Sequence, residues 1–233
     1  METGTNGNQL VNQYLTPLAV VIGAVIIALA LAYGRPDAGT PTPTDTGAPD
    51  IADVKMEGNP FIGDEDAPVT IAYWFDYQCP FCKQFEQTTM VELYDAYIAT
   101  GKVRVVLKDF QFLGPDSTAG ALYGRAVWDL YPNRFYDWYK AMFEAQDQEH
   151  GGFGNEASVK TLTATVSGID AEKVAKNLED NRSRYLAAIQ ADRTEGASFG
   201  VNGTPALIIG TDLLPGAYPF ATVSPIVDAE LSK

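Results

Sequence analysis

The feature that most limits the possible folds is the motif Cys-Pro-Phe-Cys at residues 79–82, which lies between a strand pattern and a helix pattern. Residues 69–75 (VTIAYWF) are β-branched and aromatic, as is typical of a buried strand. Apolar side chains then recur at helical spacing, and we predict one helix over about residues 79–100. A second strand pattern follows at 103–108. The order is therefore β-α-β, with a crossover long enough for parallel pairing.

The remainder of the chain predicts helices and then a hairpin. Helical spacing of apolar residues continues through about 116–199, where Asp170 is a good N-cap candidate. Strand character returns at 206–209, residues 210–215 predict a hairpin, and 223–231 predict a closing helix. The predicted fold class is therefore α/β with an inserted helical subdomain.

The N-terminal segment differs in composition from the rest. Residues 1–13 are a polar tail, and residues 14–33 (YLTPLAVVIGAVIIALALAY) carry no charge over about the length that crosses a bilayer as a helix. Residues 34–50, rich in Pro, Gly, Thr and Asp, predict a flexible linker. Residues 51–233 are long enough to bury a proper core. The sequence predicts a transmembrane anchor, a tether and one globular domain.

A cleaved signal peptide is the main alternative for residues 14–33, because Ala28-Leu29-Ala30 resembles a cleavage site. The leader has no basic region, and the apolar run exceeds the usual ~7–15 residues, so a retained anchor is favoured. The linker argues against a buried soluble helix. Arg35, the only flanking cation, would alone place the domain in the cytoplasm, whereas redox-active cysteines favour the extracytoplasmic side.

Charge and composition exclude several functions. Acidic residues outnumber basic residues 30 to 16, giving a net charge of −14. A nucleic-acid partner is therefore not expected, because phosphate binding needs a basic face. Two cysteines and one histidine, His150, are too few for a Cys/His zinc finger and make a histidine-based triad improbable.

Both cysteines of the chain lie in the 79–82 motif, and a C-x-x-C within a β-α-β unit is typical of thioredoxin-like redox sites. Cys79 is predicted at the helix N-cap, where unpaired amides and the helix dipole lower a thiol pKa. Pro80 suits the first helical turn. Cys82, one turn deeper, keeps a higher pKa. We predict a redox-active disulfide in which Cys79 is the sulfur exposed to substrates and Cys82 the resolving partner.

Two other interpretations of the cysteine pair are less well supported by the sequence. A metal site would need further ligands, and only His150 and carboxylates remain. An inert structural disulfide would restrain almost nothing, because the loop it closes is so short. Elsewhere, Thr204-Pro205 begins a strand, and an X-Pro bond there could be cis, although alone it predicts only an ordinary turn.

Taken together, the motifs resemble those of the DsbA-like thiol:disulfide oxidoreductases, especially the membrane-anchored bacterial members. The resemblance covers about residues 58–231. The segments that carry it are 67–71, 75–82 and 203–210. Residues 133–144 are similar to part of the family's helical subdomain. The resemblance implies a thioredoxin-like fold interrupted by helices and an activity on thiols outside the cytoplasm.

The same resemblance implies roles for particular residues. Pro205 would be cis and would pack beside the cysteine pair. Gly203, Thr204, Pro205 and the apolar Phe81 would bind an extended substrate segment by β-augmentation. The partners would be exported, flexible proteins with cysteines and a redox protein that resets the dithiol. The exchange chemistry needs no metal or nucleotide cofactor.

Two positions depart from the family pattern. Members commonly carry a buried Glu six residues before the first cysteine, where this chain has Tyr73, and a phenol is a poor proton shuttle near neutral pH. Asp76 and Lys108 are candidates to replace that Glu. The best-known oxidant of the family has His where this chain has Phe81, so we expect a less extreme Cys79 pKa and a less oxidising disulfide.

The function predicted from the sequence is a membrane-tethered, extracytoplasmic oxidase that introduces disulfides into exported proteins. Two alternatives stay open. One is a reductase or isomerase of the same fold, because direction depends on potential and partner. The other is a tethered peptide-binding, chaperone-like module whose disulfide is vestigial.

Overall fold

The computed structural model describes residues 49–148 and 151–233. The predicted tail (1–13), the predicted anchor (14–33) and nearly all of the predicted linker lie outside these ranges, as does His150. Within the described ranges, no helix combines the length and the apolar character needed to cross a bilayer.

The described chain alternates short strands with helices. In order, the elements are a 3-10 turn Ile51–Asp53, β1 Phe61–Ile62, β2 Val69–Phe75, α1 Pro80–Gln87, α2 Thr89–Leu93, a π-helical turn Tyr94–Ile98, β3 Val103–Asp109, α3 Pro115–Leu130, α4 Pro132–Ala145, α5 Glu156–Thr163, α6 Ala171–Ser198, β4 Ala206–Ile209, β5 Asp212–Pro215 and α7 Phe220–Leu231.

The strands form one mixed five-stranded sheet in the order β1-β3-β2-β4-β5. Strand β2 is parallel to β3, with Val69 opposite Val103, and antiparallel to β4. Strands β4 and β5 form the predicted hairpin. The central strand β2 is buried along almost its whole length, which explains why its sequence is a continuous apolar run rather than an alternating one. The predicted β-α-β unit is confirmed.

The prediction of a single helix over 79–100 is wrong. The helix breaks at Thr88, whose φ and ψ are −123° and −85°, and continues as α2 and the π-helical turn. The Thr88 hydroxyl donates to the Gln84 carbonyl at 2.7 Å, and the Thr89 hydroxyl donates to the Tyr218 carbonyl at 2.8 Å. Threonine hydroxyls compete with helical backbone hydrogen bonds in this way. Helix α1 is therefore a short element of its own.

The helical stretch predicted near 116–199 consists of α3 to α6, inserted between β3 and β4. Asp170 caps α6 as predicted, because its side chain accepts from the amides of Glu172 and Lys173. A buried ion cluster joins α6 to the sheet. The Lys108 ammonium lies 2.6 Å from the Asp192 carboxylate. The insertion is thus fixed to β3 by charge as well as by apolar packing.

Aromatic side chains fill the space between the sheet and α4. The Phe75 ring lies 5.5 Å from that of Tyr139, and the Tyr77 ring lies 5.7 Å from that of Phe143. Trp74 points to the opposite face of the sheet, where its indole nitrogen donates to the Asp192 carbonyl at 3.0 Å. The C-terminal end of β2 is held firmly on both faces, and the cysteine motif begins there.

Candidate active site

The turn between β2 and α1 places Cys79 at the N-cap of α1, as predicted, with Pro80 as the first helical residue. The Cys79 amide donates to the Asp76 carbonyl at 3.1 Å. The Asp76 carboxylate accepts from the amides of Gln78 at 2.9 Å and Phe112 at 3.1 Å. These bonds fix the conformation of the turn that carries Cys79.

Both cysteines are free thiols in this structure, and both are buried. Cys79 is 3% exposed and Cys82 is 0% exposed. The prediction that Cys79 is an exposed sulfur is therefore wrong, because the turn and the loop before β4 cover it. Phe81 is 62% exposed and presents the apolar surface predicted for it.

The loop before β4 lies against the cysteine pair. The Thr204-Pro205 peptide bond is cis. The Cys79 sulfur lies 3.3 Å from the Thr204 carbonyl oxygen, to which it donates when it is protonated. Gly203, Thr204 and Pro205 line a shallow depression of about 210 Å³ together with Pro215 and neighbouring residues. The structure thus brings together the two motifs that the sequence placed far apart.

The pKa of Cys79 falls from its ordinary value of 9.0 to about 6. The largest cause is a hydrogen bond from the Cys82 thiol to the thiolate. Burial opposes this effect, and the Thr204 side chain and then the amides of Cys82 and Phe81 add to it. Amides at the helix N-terminus contribute as predicted, but they are secondary to the neighbouring thiol. Cys79 is mainly thiolate at neutral pH.

The pKa of Cys82 moves in the opposite direction, well above its ordinary value. Burial is the main cause, and the negative charge of Cys79 adds to it. The two thiols therefore have different protonation states near neutral pH: Cys79 is the nucleophile, and Cys82 holds its proton. This asymmetry agrees with the predicted division of roles.

Sequence reasoning missed Gln146, which follows α4. Its side-chain amide donates to the carbonyls of Tyr77 at 2.7 Å and Cys79 at 3.1 Å. Gln146 is 4% exposed. The helical insertion thereby holds the backbone of residues 77–79 in place. No local pattern marks this glutamine, because its partners lie more than sixty residues away in the chain.

Neither candidate for the missing buried Glu serves the cysteines. Lys108 pairs with Asp192 and Glu195 in the ion cluster. The Asp76 carboxylate is engaged by backbone amides, and burial raises its pKa. The sequence left open whether either group replaces the missing Glu, and in the structure each is buried with a structural partner of its own.

Another acidic residue, Glu86, lies on the same helix as Cys82. It is one turn further along α1, it is 9% exposed, and its carboxylate accepts from the Tyr139 hydroxyl at 2.6 Å. The helical spacing i, i+4 from Cys82 was a usable signal, because such residues share one face. Within residues 49–148 and 151–233, no cluster of three His, Cys, Asp or Glu side chains is placed to hold a metal ion.

Comparison with known proteins agrees with this geometry. The family model described as Thioredoxin matches residues 55–229. The probable disulfide bond formation protein D of Bacillus anthracis is 27% identical over 193 residues, which cover 78% of this chain and 87% of the relative.

Two solved structures are similar. Oxidised BdbD from Bacillus subtilis gives a TM-score of 0.70 at 23% identity, over 77% of this chain and 96% of that one. The thiol-disulfide exchange protein alpha-DsbA2 from Wolbachia pipientis gives a TM-score of 0.66 at 26% identity, over 79% of this chain and 90% of that one. Fold, cysteine geometry and relatives agree: the chain belongs to the thioredoxin family and is a DsbA-like thiol:disulfide oxidoreductase.

Proposed function

We propose that this oxidoreductase works in the oxidising direction, forming disulfides in exported proteins from a membrane-tethered position outside the cytoplasm. The observation that carries the proposal is the geometry of the site, where Cys79 lies at the N-cap of α1 with its sulfur 3.3 Å from the Thr204 carbonyl oxygen, and the depressed pKa of Cys79 supports the direction. A stabilised thiolate favours the reduced enzyme, and a dithiol that is stable when reduced makes its disulfide a stronger oxidant. The names of the relatives, which refer to disulfide bond formation, support the same direction.

The reaction uses the two sulfurs in turn. A substrate thiolate attacks Cys79 of the disulfide, and the Cys79–Cys82 bond breaks with its electron pair going to Cys82. A second substrate thiolate then attacks the mixed disulfide and releases Cys79 as thiolate. The substrate has lost two electrons, and the enzyme dithiol passes them to a redox partner. Phe81 and the 203–205 loop are the proposed contacts for the substrate chain.

The proposed location rests on the sequence. Residues 14–33 have the length and composition of a membrane-spanning helix, and 34–50 those of a flexible tether. Disulfide-forming chemistry needs an oxidising compartment. A membrane-impermeant thiol reagent applied to intact cells should label Cys79 when it is reduced. Protection until lysis would contradict the extracytoplasmic placement.

The redox potential tests the direction. Equilibration of the full chain with glutathione should give a value above that of thioredoxin, about −270 mV, and below that of the strongest DsbA oxidant, about −120 mV. A value near −270 mV would contradict an oxidase and favour the reductase alternative.

Trapping tests the use of the cysteines. Cys82→Ala should accumulate mixed disulfides with exported proteins, because the resolving thiol is gone. Cys79→Ala is the matched control and should accumulate none. A peptide-binding module with a vestigial disulfide would give no mixed disulfides in either variant.

A further inference from the structure

Helix α1 is a short helix that carries the reactive sulfur at its start. It spans eight residues, Pro80–Gln87, and its N-cap Cys79 makes no side-chain capping bond. Helices this short are not stable by themselves in water, so contacts with the rest of the protein must hold them. The contacts that hold the start of α1 therefore decide where the Cys79 sulfur lies.

The Gln146 side chain holds the turn that leads into α1. Its amide nitrogen donates to the Tyr77 carbonyl at 2.7 Å and to the Cys79 carbonyl at 3.1 Å, on either side of Gln78. A side-chain amide has two N–H donors, so one group can serve both carbonyls. The Cys79 carbonyl also accepts from the Lys83 backbone amide at 3.1 Å, a bond of the first helical turn. Gln146 thus joins the end of the turn to the beginning of the helix.

Gln146 is itself held in place, and part of what holds it comes from α1. Its backbone amide donates to the Met142 carbonyl at 3.1 Å, at the end of α4. The Lys83 ammonium donates to the Gln146 carbonyl and lies 3.5 Å from the Glu144 carbonyl oxygen. The two elements are therefore linked in both directions, because α1 donates to the end of α4 and Gln146 donates back to the turn before α1.

The bonds made by the Gln146 amide lie away from water, since both Gln146 and Tyr77 are buried. In residues 49–148 and 151–233, the Tyr77 carbonyl has no other hydrogen-bond donor. A buried carbonyl that loses its partner carries the full cost of its desolvation. If the Gln146 amide were removed, the turn would have to move to find a new donor.

We propose that Gln146 is a positioning residue of the exchange reaction, which fixes the turn so that the Cys79 sulfur faces its stabilising partners at the start of α1. Gln146 is not a catalytic residue, because its side chain donates to backbone carbonyls and not to either sulfur. The proposal rests on Cys79 being the sulfur that exchanges, as in the proposed function, and is independent of the direction of exchange.

The stabilising partners of Cys79 depend on this position. The Cys82 thiol has the largest effect in lowering the pKa of Cys79, and Thr204 and the amides of Cys82 and Phe81 add to it. These are hydrogen bonds to the sulfur, and hydrogen bonds weaken steeply as their geometry worsens. A displaced turn therefore costs the thiolate more than the uncharged disulfide. In this way the helical insertion sets the reactivity of the cysteine pair.

The test compares the reduced full chain with its Gln146→Met variant, which keeps the length of the side chain and has no donor. Alkylation of Cys79 by iodoacetamide should have its midpoint at about pH 6 in the wild type. We expect Gln146→Met to react at least about threefold more slowly below about pH 5.5, which corresponds to a midpoint about half a pH unit higher. The two rates should agree above about pH 8, where both proteins carry the thiolate.

Equilibration with glutathione gives a second readout. A less stabilised thiolate makes the disulfide a weaker oxidant, so the equilibrium constant for oxidation of glutathione should fall about two- to threefold in Gln146→Met at pH 7. Gln146→Asn, whose amide is one methylene shorter, should shift both readouts in the same direction. It keeps the proposal testable if the methionine variant does not fold.

Thr163→Val is the matched control, because it also removes a buried hydrogen bond from the helical insertion. The Thr163 hydroxyl accepts from the Trp138 indole nitrogen at 2.9 Å, and Thr163 is buried. This variant should unfold at a lower urea concentration but keep the alkylation profile and the glutathione equilibrium of the wild type. Cys82 and Tyr73, the titratable neighbours of Cys79, are unchanged in every variant.

The outcomes separate the two proposals. If wild-type Cys79 has its alkylation midpoint at about pH 9, like an ordinary thiol, the proposed function fails and the positioning role fails with it. If the wild-type midpoint is about pH 6 and the Gln146 variants match it, the positioning role is refuted alone. Equal shifts in Thr163→Val and Gln146→Met would also refute it, because the effect would then follow from a general loss of stability.

Discussion

At the scale of single residues, Cys79 is controlled mainly by its neighbours in space. The thiol of Cys82 stabilises the Cys79 thiolate more than the helix amides do. Thr204 also lowers the pKa of Cys79, by a smaller amount. The result is one thiol that is ionised and one that is not, separated by one helical turn. This arrangement makes the reduced protein sensitive to pH.

We expect the reduced protein to gain stability relative to its unfolded state as pH rises from about 6 to about 9. The Cys79 pKa is lower in the folded protein, so its contribution is complete above the unfolded value and is lost as pH falls through about 6. Three pH units at about 1.4 kcal/mol each give at most about 4 kcal/mol. Cys82, whose pKa is raised, opposes this only above about pH 9.

Urea unfolding of the reduced and oxidised forms at several pH values measures the effect. The oxidised form has no thiols and serves as the control, because other titrating groups such as Glu86 are present in both forms. Parallel stability curves for the two forms would contradict the depressed Cys79 pKa.

At the scale of elements, helix α6 is held against β3 by buried charges. Asp192 pairs with both Lys108 and Arg125, and its carboxylate also accepts from the Asp109 amide at 3.1 Å. Lys108 and Arg125 are almost fully buried. Without Asp192, Lys108 keeps Glu195 and Arg125 keeps Asp109, but both buried cations and the Asp109 amide lose an acceptor, which costs more than losing a surface ion pair.

We therefore expect Asp192→Ala to lower the free energy of unfolding by about 1–3 kcal/mol. The matched control on the same helix is Asp180→Ala, which breaks only the exposed pair with Lys176 and should cost about 0.5 kcal/mol or less. Urea denaturation at neutral pH measures both. Equal, small losses would show that the cluster adds nothing to the attachment of α6.

At the scale of the whole molecule, the active site lies where three parts of the chain meet. The β2–α1 turn supplies the sulfurs, the loop before β4 supplies Thr204 and the cis proline, and the insertion supplies Gln146. All three belong to the described part of the chain from residue 49 onwards. These three parts of the folded domain are therefore each needed to assemble the site.

Deletion of residues 1–48 should accordingly leave the pH dependence of Cys79 alkylation unchanged while releasing the protein from membranes. Fractionation of cells that express the full and the shortened chain measures the second effect, and iodoacetamide labelling measures the first. A full-length chain found in the soluble fraction would contradict the proposed anchor. Altered alkylation in the shortened chain would show that the N-terminal segment contributes to the site.

The sequence by itself determined the β-α-β unit, the helical stretch between β3 and β4 and the N-cap position of Cys79, whereas the approach of Thr204-Pro205 to the cysteines was implied only by the family resemblance. The elements and the N-cap follow from local patterns, because apolar strand runs, helical spacing and turn residues each depend only on residues close together in the chain. The break of the predicted helix at Thr88 was decided in part by a contact with Tyr218, which is distant in the chain.

Only the tertiary structure decided what surrounds the two sulfurs. The carbonyl that contacts the Cys79 sulfur belongs to Thr204, 125 positions away in the chain. The side-chain amide that donates to the Cys79 carbonyl belongs to Gln146, 67 positions away. Burial of Cys79 and the approach of Tyr139 to Glu86 likewise depend on how the insertion packs on the sheet. The pKa of a buried group is set by its neighbours in space, and those neighbours are brought together only by folding.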